Sequence, residues 1–581
     1  MEQIHTKKIR KRIYILLFFF VLWVAGLLFR LIQLQVIQHP QLEKEVSRQN
    51  QKIEPIFPKR GAIFDRKGHI LTRSIPRKSV FLTPYQNESA GLQYEILNKL
   101  KRILNLSVNE IRLIKAKIKN KDTFIWIKRK IDPHQAAMIE KLRLDGVHFL
   151  EENKRFYPQG PLAAPILGRV NIDNKGTSGI EYRYNNILQG KKGKRIIRKD
   201  AKKRKYRFEI LRKSEPGKDL YLTIDETIQY ICEKELHQTM IQTQAKWGTV
   251  IVSIPSTGEI LAMANYPTYN PNHLPDVPLE LDRNCAIHHT FEPGSTFKVV
   301  TFAAALESKM INLNETFDCS KGSLSLDNIA YSDYKTFNTL SFPEVIIYSS
   351  NVGTVKIGQK LGKDIIFDNI KSFGFGEKTG IDLPAEEKGI LRPLDNWSRY
   401  SVASISIGYE ISTTAIQMLQ AINIIANDGI LVKPIIVKHE ISQDYIKEKS
   451  NPSQRIISKE TANKLAAILK KVVSEGTGKP AGIKGYKVAG KTGTAQKYNK
   501  EINGYSSLLH TASFIGFLPL NNPSFSIIVV IDEPKGEYYG GKIAAPVFKK
   551  IATQILRYMN IPNKEKLSKG IITAKLLEQS S

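Results

Sequence analysis

The strongest hydrophobic pattern in the chain lies in its first forty residues. Ile13 to Phe29 runs seventeen residues without a charge, and apolar positions continue past Arg30 through Leu31, Leu34 and Ile37. At about 1.5 Å per residue the uncharged run makes roughly 25 Å of helix, slightly short of a hydrocarbon core, and Arg30 can snorkel to the headgroups. The pattern therefore predicts an uncleaved membrane anchor over 13–37. A cleaved signal peptide would have a shorter apolar region with a small-x-small cut site, and only Ala25-Gly26 hints at one. A buried core helix fits poorly beside five flanking cations: Lys7, Lys8, Arg10, Lys11 and Arg12. Those cations precede the span and no second span of this quality follows. The positive-inside rule then predicts a cytoplasmic tail at 1–12 and an exported chain after about residue 38.

Beyond the anchor, residues 39–60 predict a helical stalk that ends at Pro55 and Pro58. RGAIFDRKGHIL (60–71) and SVFLTP (79–84) predict short strands around the turn residues Asp65-Arg66-Lys67-Gly68. Residues 90–150 alternate helix-like stretches with lysine-rich surfaces. After Leu222-Thr-Ile-Asp225 the period predicts an amphipathic helix from Glu226 to about Gln242. GTVIVSI (248–254) and EILAMA (259–264), around Pro255-Ser-Thr-Gly258, predict a β-hairpin. The expected domains are an N-terminal pedestal over 38–217, an α/β-type domain over 218–560 and a polar tail over 561–581. No internal repeat or low-complexity tract interrupts them.

Charge adds a question. The 581 residues hold 87 Lys+Arg against 55 Asp+Glu, a net charge of +32, which first suggests nucleic acid or a membrane surface. Export removes nucleic acid as a partner, and five of the cations become a topology signal. Residues 191–218 alone carry 14 cations and 3 acids. They read as a solvated basic hairpin or loop, or as a contact for anionic lipid headgroups, wall polymers or a partner protein. The 42 % apolar content excludes wholesale disorder. Cys232, Cys285 and Cys319 form no CxxC pair, which argues against a disulfide scaffold or a thiolate zinc cluster.

The chemistry-bearing residues form an ordered set. In FEPGSTFKVVTFAAALE (291–307), Ser295 and Lys298 are three apart at the start of a strongly apolar helix, so they share a face. A serine hydroxyl is a weak nucleophile, and a desolvated lysine is one way to activate it. Ser332-Asp-Tyr-Lys335 repeats the spacing without an apolar helix behind it and reads as a surface loop. Lys-Thr-Gly also occurs twice. Lys378-Thr379-Gly380 sits in a glycine-rich loop, whereas Lys491-Thr492-Gly493 follows the strand-like YKVAG, where a strand edge can hold a carboxylate beside a serine. Ser349-Ser350-Asn351 follows VIIY and offers a hydroxyl and an amide two residues apart.

Ser-x-x-Lys, Ser-x-Asn and Lys-Thr-Gly in this order resemble the signature of penicillin-binding proteins and serine β-lactamases. Their separations here, 54 and 142 residues, resemble the large transpeptidase domain of the former. RGAIFDRKGHIL, KRFYPQGPLAAPILGRVN (154–171) and GTSGIEYRYNNILQGKKG (176–193) resemble the pedestal of class B members, and the chain enters it directly from the anchor, unlike class A. NYPTYNPN and SIGYEISTTAIQMLQA (406–421) resemble the septal, FtsI-type enzymes more than the elongation type. No PASTA-like repeat follows residue 560, which looks more like a Gram-negative protein of the inner membrane.

The resemblance implies a mixed α/β fold with a mostly antiparallel, helix-flanked sheet. It implies a D,D-transpeptidase that acylates Ser295 with D-Ala-D-Ala stems, using no metal or organic cofactor. By that resemblance Lys298 takes the serine proton. Ser349, assisted by Lys491, protonates the departing D-alanine, and Asn351 holds the peptide amide. Thr492, Gly493 and Thr494 bind the substrate, the two threonines through its terminal carboxylate, while the Ser295 and Thr494 amides form an oxyanion hole. Peptidoglycan stems, inhibitory β-lactams, divisome proteins, a partner glycosyltransferase and membrane lipid are the implied partners. An elongation enzyme, a D,D-carboxypeptidase or β-lactamase, and a non-catalytic sensor or scaffold are the alternatives.

Overall fold

The computed structural model describes residues 2–42, 44, 51–83, 90–122, 124–199, 205–273, 278–326, 329–442, 445–448 and 452–563. Most of the predicted tail lies outside them, as do parts of the predicted stalk and the centre of the basic stretch. The chain forms two compact units, residues 1–59 with 190–216 and residues 60–189 with 217–581.

In the first unit, helix α1 (Glu2–Ile32) passes into a wider turn over Gln33–Ile37. The helical stretch Thr6–Ile37 is long and apolar enough to cross a membrane. Its Phe18, Phe19, Leu22 and Trp23 are exposed, as lipid-facing side chains must be. Gln51–Ile56 is a strand, not the end of a helical stalk. It pairs with Gly193–Lys199, which pairs in turn with Lys205–Arg212, all antiparallel. Pro55 is tolerated there because the strand is an edge, with one flank free of ladder bonds. The described parts of the basic stretch thus form two antiparallel strands.

The second unit carries two large sheets. One has strands Tyr445–Glu448, Val437–Ser442, Asp219–Leu222, Ile63–Phe64, Ile70–Leu82 and Ile125–Ile131 in that order, with Val147–Phe156 also on Ile70–Leu82. The expected break between two short strands does not occur: Ile70–Leu82 runs unbroken through Pro76. Pairing with Ile125–Ile131 begins only at Lys78, so the proline stands where one flank is open. The Asp65–His69 turn forms as predicted, with Gly68 at φ +90°, a conformation that favours glycine.

The other sheet is antiparallel and organises the site. Its strands are β1 (Trp247–Ser253), β2 (Ile260–Tyr266), β3 (Ala489–Asn499), β4 (Gly504–Leu518) and β5 (Phe525–Asp532), in the order β2-β1-β5-β4-β3. The predicted β1–β2 hairpin turns at Gly258, φ +73°. The helices are α2 (Glu226–Thr243), α3 (Lys298–Glu307), α4 (Phe342–Ile347), α5 (Asn351–Ser372), α6 (Ala415–Ala426), α7 (Lys459–Ser474) and α8 (Ala544–Tyr558). Strand period 2 splits the sheet's residues between two cores. Val250, Val252, Val529 and Ile531 pack with Leu236 of α2 and Phe548 of α8, whereas Ile251, Ile528 and Val530 pack with Leu419 of α6, Leu465 of α7 and Phe302 of α3. Because both faces are covered, the strands read as continuous apolar runs. Asp225 starts α2 by accepting from the Thr227 and Ile228 amides.

Candidate active site

Ser295 lies on a single 3₁₀ turn, Gly294–Phe297, and α3 starts only at Lys298. The sequence had suggested a helix from Ser295 onward. The tighter turn arises because Pro293 accepts both the amide and the hydroxyl of Thr296, the latter at 2.7 Å, closing a three-residue ring. Gly294 has φ +52°, and a Cβ on it would stand 3.1 Å from the Thr494 carbonyl, so the turn abuts β3 closely.

Lys298 is fully buried. Its Nζ donates to the carbonyls of Ser349 (2.9 Å) and Ser350 (3.1 Å) and to Asn351 Oδ1 (2.8 Å), and lies 3.5 Å from Ser349 Oγ. Lys491, equally buried on β3, donates to Ser349 Oγ at 2.8 Å and to the Thr492 carbonyl at 3.0 Å. One serine hydroxyl therefore stands between two buried lysines. Burial pushes the Lys298 amine down to about 7 against the opposing pull of the Asp333 carboxylate. Burial first, and then repulsion by Lys298, holds Lys491 well below the ordinary lysine value. Two ammonium groups sharing so dry a site disfavour each other, so the pair can supply a neutral amine near neutral pH.

Ser349 has φ +62°, the left-handed region that few non-glycine residues enter. It is the joint between α4 and α5, with its amide on the Ile346 carbonyl (3.2 Å). Ser350 caps α5 by accepting the Gly353 amide at 2.9 Å. The Asp333 carboxylate accepts from Ser350 Oγ (2.8 Å), the Val352 amide (3.1 Å) and the Asn351 amide. The Asn351 side chain donates to the Ser332 carbonyl at 2.8 Å.

On β3, Thr492 Oγ1 is 2.8 Å from Thr477 Oγ1, and Thr494 Oγ1 accepts the Gly540 amide at 2.9 Å. Gly493 has no room for a side chain, because a Cβ would meet Ser513 Oγ at 2.3 Å and Thr296 Cγ2 at 2.7 Å. A cleft of about 690 Å³ brings Ser295, Ser349, Asn351, Thr492 and Thr494 to one surface. All eight residues picked out in the three motifs meet at this cleft or directly behind it.

The duplicated motifs part company. Ser332-Asp-Tyr-Lys335 is largely exposed at the surface, as expected, but it borders the site: Ser332, Asp333 and Tyr334 line the cleft, and two of them brace Asn351 and Ser350. Lys378-Thr379-Gly380 is pinned by Glu386, whose carboxylate accepts the Thr379 and Gly380 amides at 2.7 and 3.1 Å. That carboxylate holds a loop and is not placed to activate water. The motif reading also missed Tyr409, Thr477, His510, Tyr538 and Tyr539, which line the cleft from other loops and strands. His510 and Tyr538 stack at 3.9 Å. Aromatic character could have flagged four of the five, and nothing in the sequence marks Thr477.

A serine on a turn beside the edge strand β3, with two buried lysines and an amide side chain behind it, is a set suited to acyl transfer through a serine. The chain matches the penicillin-binding protein transpeptidase domain over residues 248–553 and the penicillin-binding protein dimerisation domain over 55–222. It is 35 % identical over 573 residues to peptidoglycan D,D-transpeptidase FtsI of Buchnera aphidicola subsp. Schizaphis graminum, covering 97 % of this chain and 98 % of that protein. It is 34 % identical over 572 residues to stage V sporulation protein D of Bacillus subtilis, covering 97 % and 88 %. Among solved structures it is similar to penicillin-binding protein 3 of Mycobacterium tuberculosis complexed with aztreonam, with TM-score 0.68, 27 % identity, and 88 % and 98 % of the two chains covered. The chain belongs to the class B penicillin-binding proteins, and it is an enzyme of their transpeptidase type.

Proposed function

We propose that the protein cross-links peptidoglycan at the division septum, as a D,D-transpeptidase anchored in the cytoplasmic membrane with its N-terminus inside and its catalytic domain outside. The observation that carries the catalytic reading is the Ser349 hydroxyl held between Lys298 and Lys491 at the wall of the Ser295 cleft. We take the functional boundaries as 38–217 for the pedestal and 218–560 for the catalytic domain.

The reaction follows from these groups. Ser295 Oγ attacks the carbonyl of the penultimate D-alanine while the neutral Lys298 amine takes its proton. In this substrate-free geometry Lys298 donates to the 349–351 segment, so substrate must draw one of those bonds away. The Ser295 and Thr494 amides steady the oxyanion. The C–N bond then breaks, and a proton passes from the lysine pair through Ser349 to the departing amine of D-alanine. An ester on Ser295 remains. Attack by the acceptor stem's amine runs the same relay in reverse, forming the new amide and returning the proton to Ser295. Asn351 holds the donor's amide, and Thr492 and Thr494 hold its carboxylate. A β-lactam enters by the same attack and leaves no departing amine to diffuse away.

The septal assignment rests on the likeness to FtsI proteins, and the likeness to stage V sporulation protein D supports a second reading in wall synthesis outside vegetative division. Depleting the protein in its own cell tests this. Filaments with blocked septa are expected. Round cells, or normal vegetative growth with a defect confined to spores, would overturn the septal role. For the chemistry, the full-length protein incubated with a stem ending in D-Ala-D-Ala and an acceptor amine should release D-alanine and form the cross-linked amide. Release with hydrolysis alone would replace transpeptidation by a carboxypeptidase.

A further inference from the structure

A second cavity, of about 350 Å³, is lined by Lys128, Arg129, Lys130, Lys154, Arg155 and Tyr157 among others, with Pro271 and Asn272 closing one side. Its cations are not all matched. Arg60 and Arg155, 2 % and 4 % exposed, share the single carboxylate of Glu181, which is fully buried. Arg155 spends Nε on Glu181 (2.5 Å) and one terminal nitrogen on the Gly61 carbonyl (2.6 Å). Its other terminal nitrogen, and the hydroxyl of the 2 %-exposed Tyr157, are buried with no partner among the described residues. Buried donors are almost always paired, so two unpaired ones at one cavity call for a ligand.

The other groups agree. Arg129 is matched by Glu152 and Asp173. Lys130 is 8 % exposed and at φ +54°; its ammonium donates to the neutral Asn174 Oδ1 at 2.8 Å and its amide to Ser79 Oγ. Lys128 donates to the Leu104 carbonyl at 2.7 Å. With Glu110, whose carboxylate lies in the field of Lys128, the cations Arg60, Lys128, Arg129, Lys130, Lys154 and Arg155 exceed the acids Glu110, Asp132, Glu152, Asp173 and Glu181 by one. An uncompensated buried charge is costly, and a bound oxyanion would offset this excess. We infer that the cavity is a binding site for a phosphate-type oxyanion, held by Arg155, Tyr157 and Lys130. Burial pushes Lys130 down to about 8, so it stays mostly protonated near neutral pH, and a bound anion would raise that value.

The test uses the purified full-length protein in detergent, titrated with inorganic phosphate, pyrophosphate or acetate at fixed ionic strength, with calorimetry and thermal unfolding as readouts. Phosphate and pyrophosphate should bind and raise the unfolding midpoint. Tyr157→Phe combined with Lys130→Gln should weaken binding by about tenfold or more, the worth of roughly one charge-assisted hydrogen bond or better. Penicillin labelling of that variant should be unchanged. A short-chain phosphatidylglycerol binding more tightly than glycerol phosphate would identify a lipid headgroup as the source, and equal binding a soluble phosphate. Phosphate no better than sodium chloride of equal ionic strength, acetate equal to phosphate, or undiminished binding by the double variant would each overturn the assignment.

Discussion

Ser349 is the residue on which both lysines converge, and its left-handed backbone places its hydroxyl between them. Nothing in the sequence marks that conformation, because Ser-Ser-Asn has no glycine to advertise a positive φ. Residue types and order singled out Ser295, Lys298, Ser349, Asn351 and Lys491, which the fold gathers at one cleft, since side-chain chemistry is written in the sequence. Their hydrogen bonds are not, and neither is Asp333, hidden inside a duplicate of the catalytic spacing. Lys298 must be neutral to take a proton, so acylation should rise with pH through about 7 and level off above it. Asp333 pulls that value upward, and Asp333→Asn should therefore move the midpoint to lower pH. Acylation rates with a fluorescent penicillin across acid to alkaline buffers check both statements, and a midpoint that stays or rises would contradict the second.

At the scale of elements, the site is a seam between the edge strand β3 and the ends of α3 and α5. Gly493 makes the seam possible. Gly493→Ala would press a methyl into Ser513 and Thr296, and should cost about 1–3 kcal/mol of stability with a matching loss of acylation. Chemical denaturation alongside penicillin binding measures it. Asp333→Ala also removes two amide partners from the first turn of α5. That should destabilise the protein by about 1–2 kcal/mol, in line with a lost helix cap. Thermal unfolding of the purified variant reads the loss. The β1–β2 hairpin and α2 were legible because turn glycine, cap and period agree there. The strand Gln51–Ile56 was not, since a proline before a basic segment reads as a helix stop until its edge position is known.

At the scale of the whole molecule, one apolar helix precedes a catalytic chain whose +32 charge first suggested nucleic acid. Part of that charge lies near the start of α1, part on the paired strands Gly193–Lys199 and Lys205–Arg212, and part lines the second cavity. The positive-inside argument predicts that a reporter active only outside the cytoplasm will work when fused after residue 560, and fail when fused within 1–12. Activity in the reverse pattern would contradict the topology. On this reading the anchored chain works through an acyl-enzyme at Ser295. Intact mass spectrometry of the full-length protein with a penicillin should show one long-lived adduct, mapped to the peptide holding Ser295 and absent in Ser295→Ala. Rapid turnover of the drug, or an adduct that survives that substitution and maps to Ser332, would contradict it.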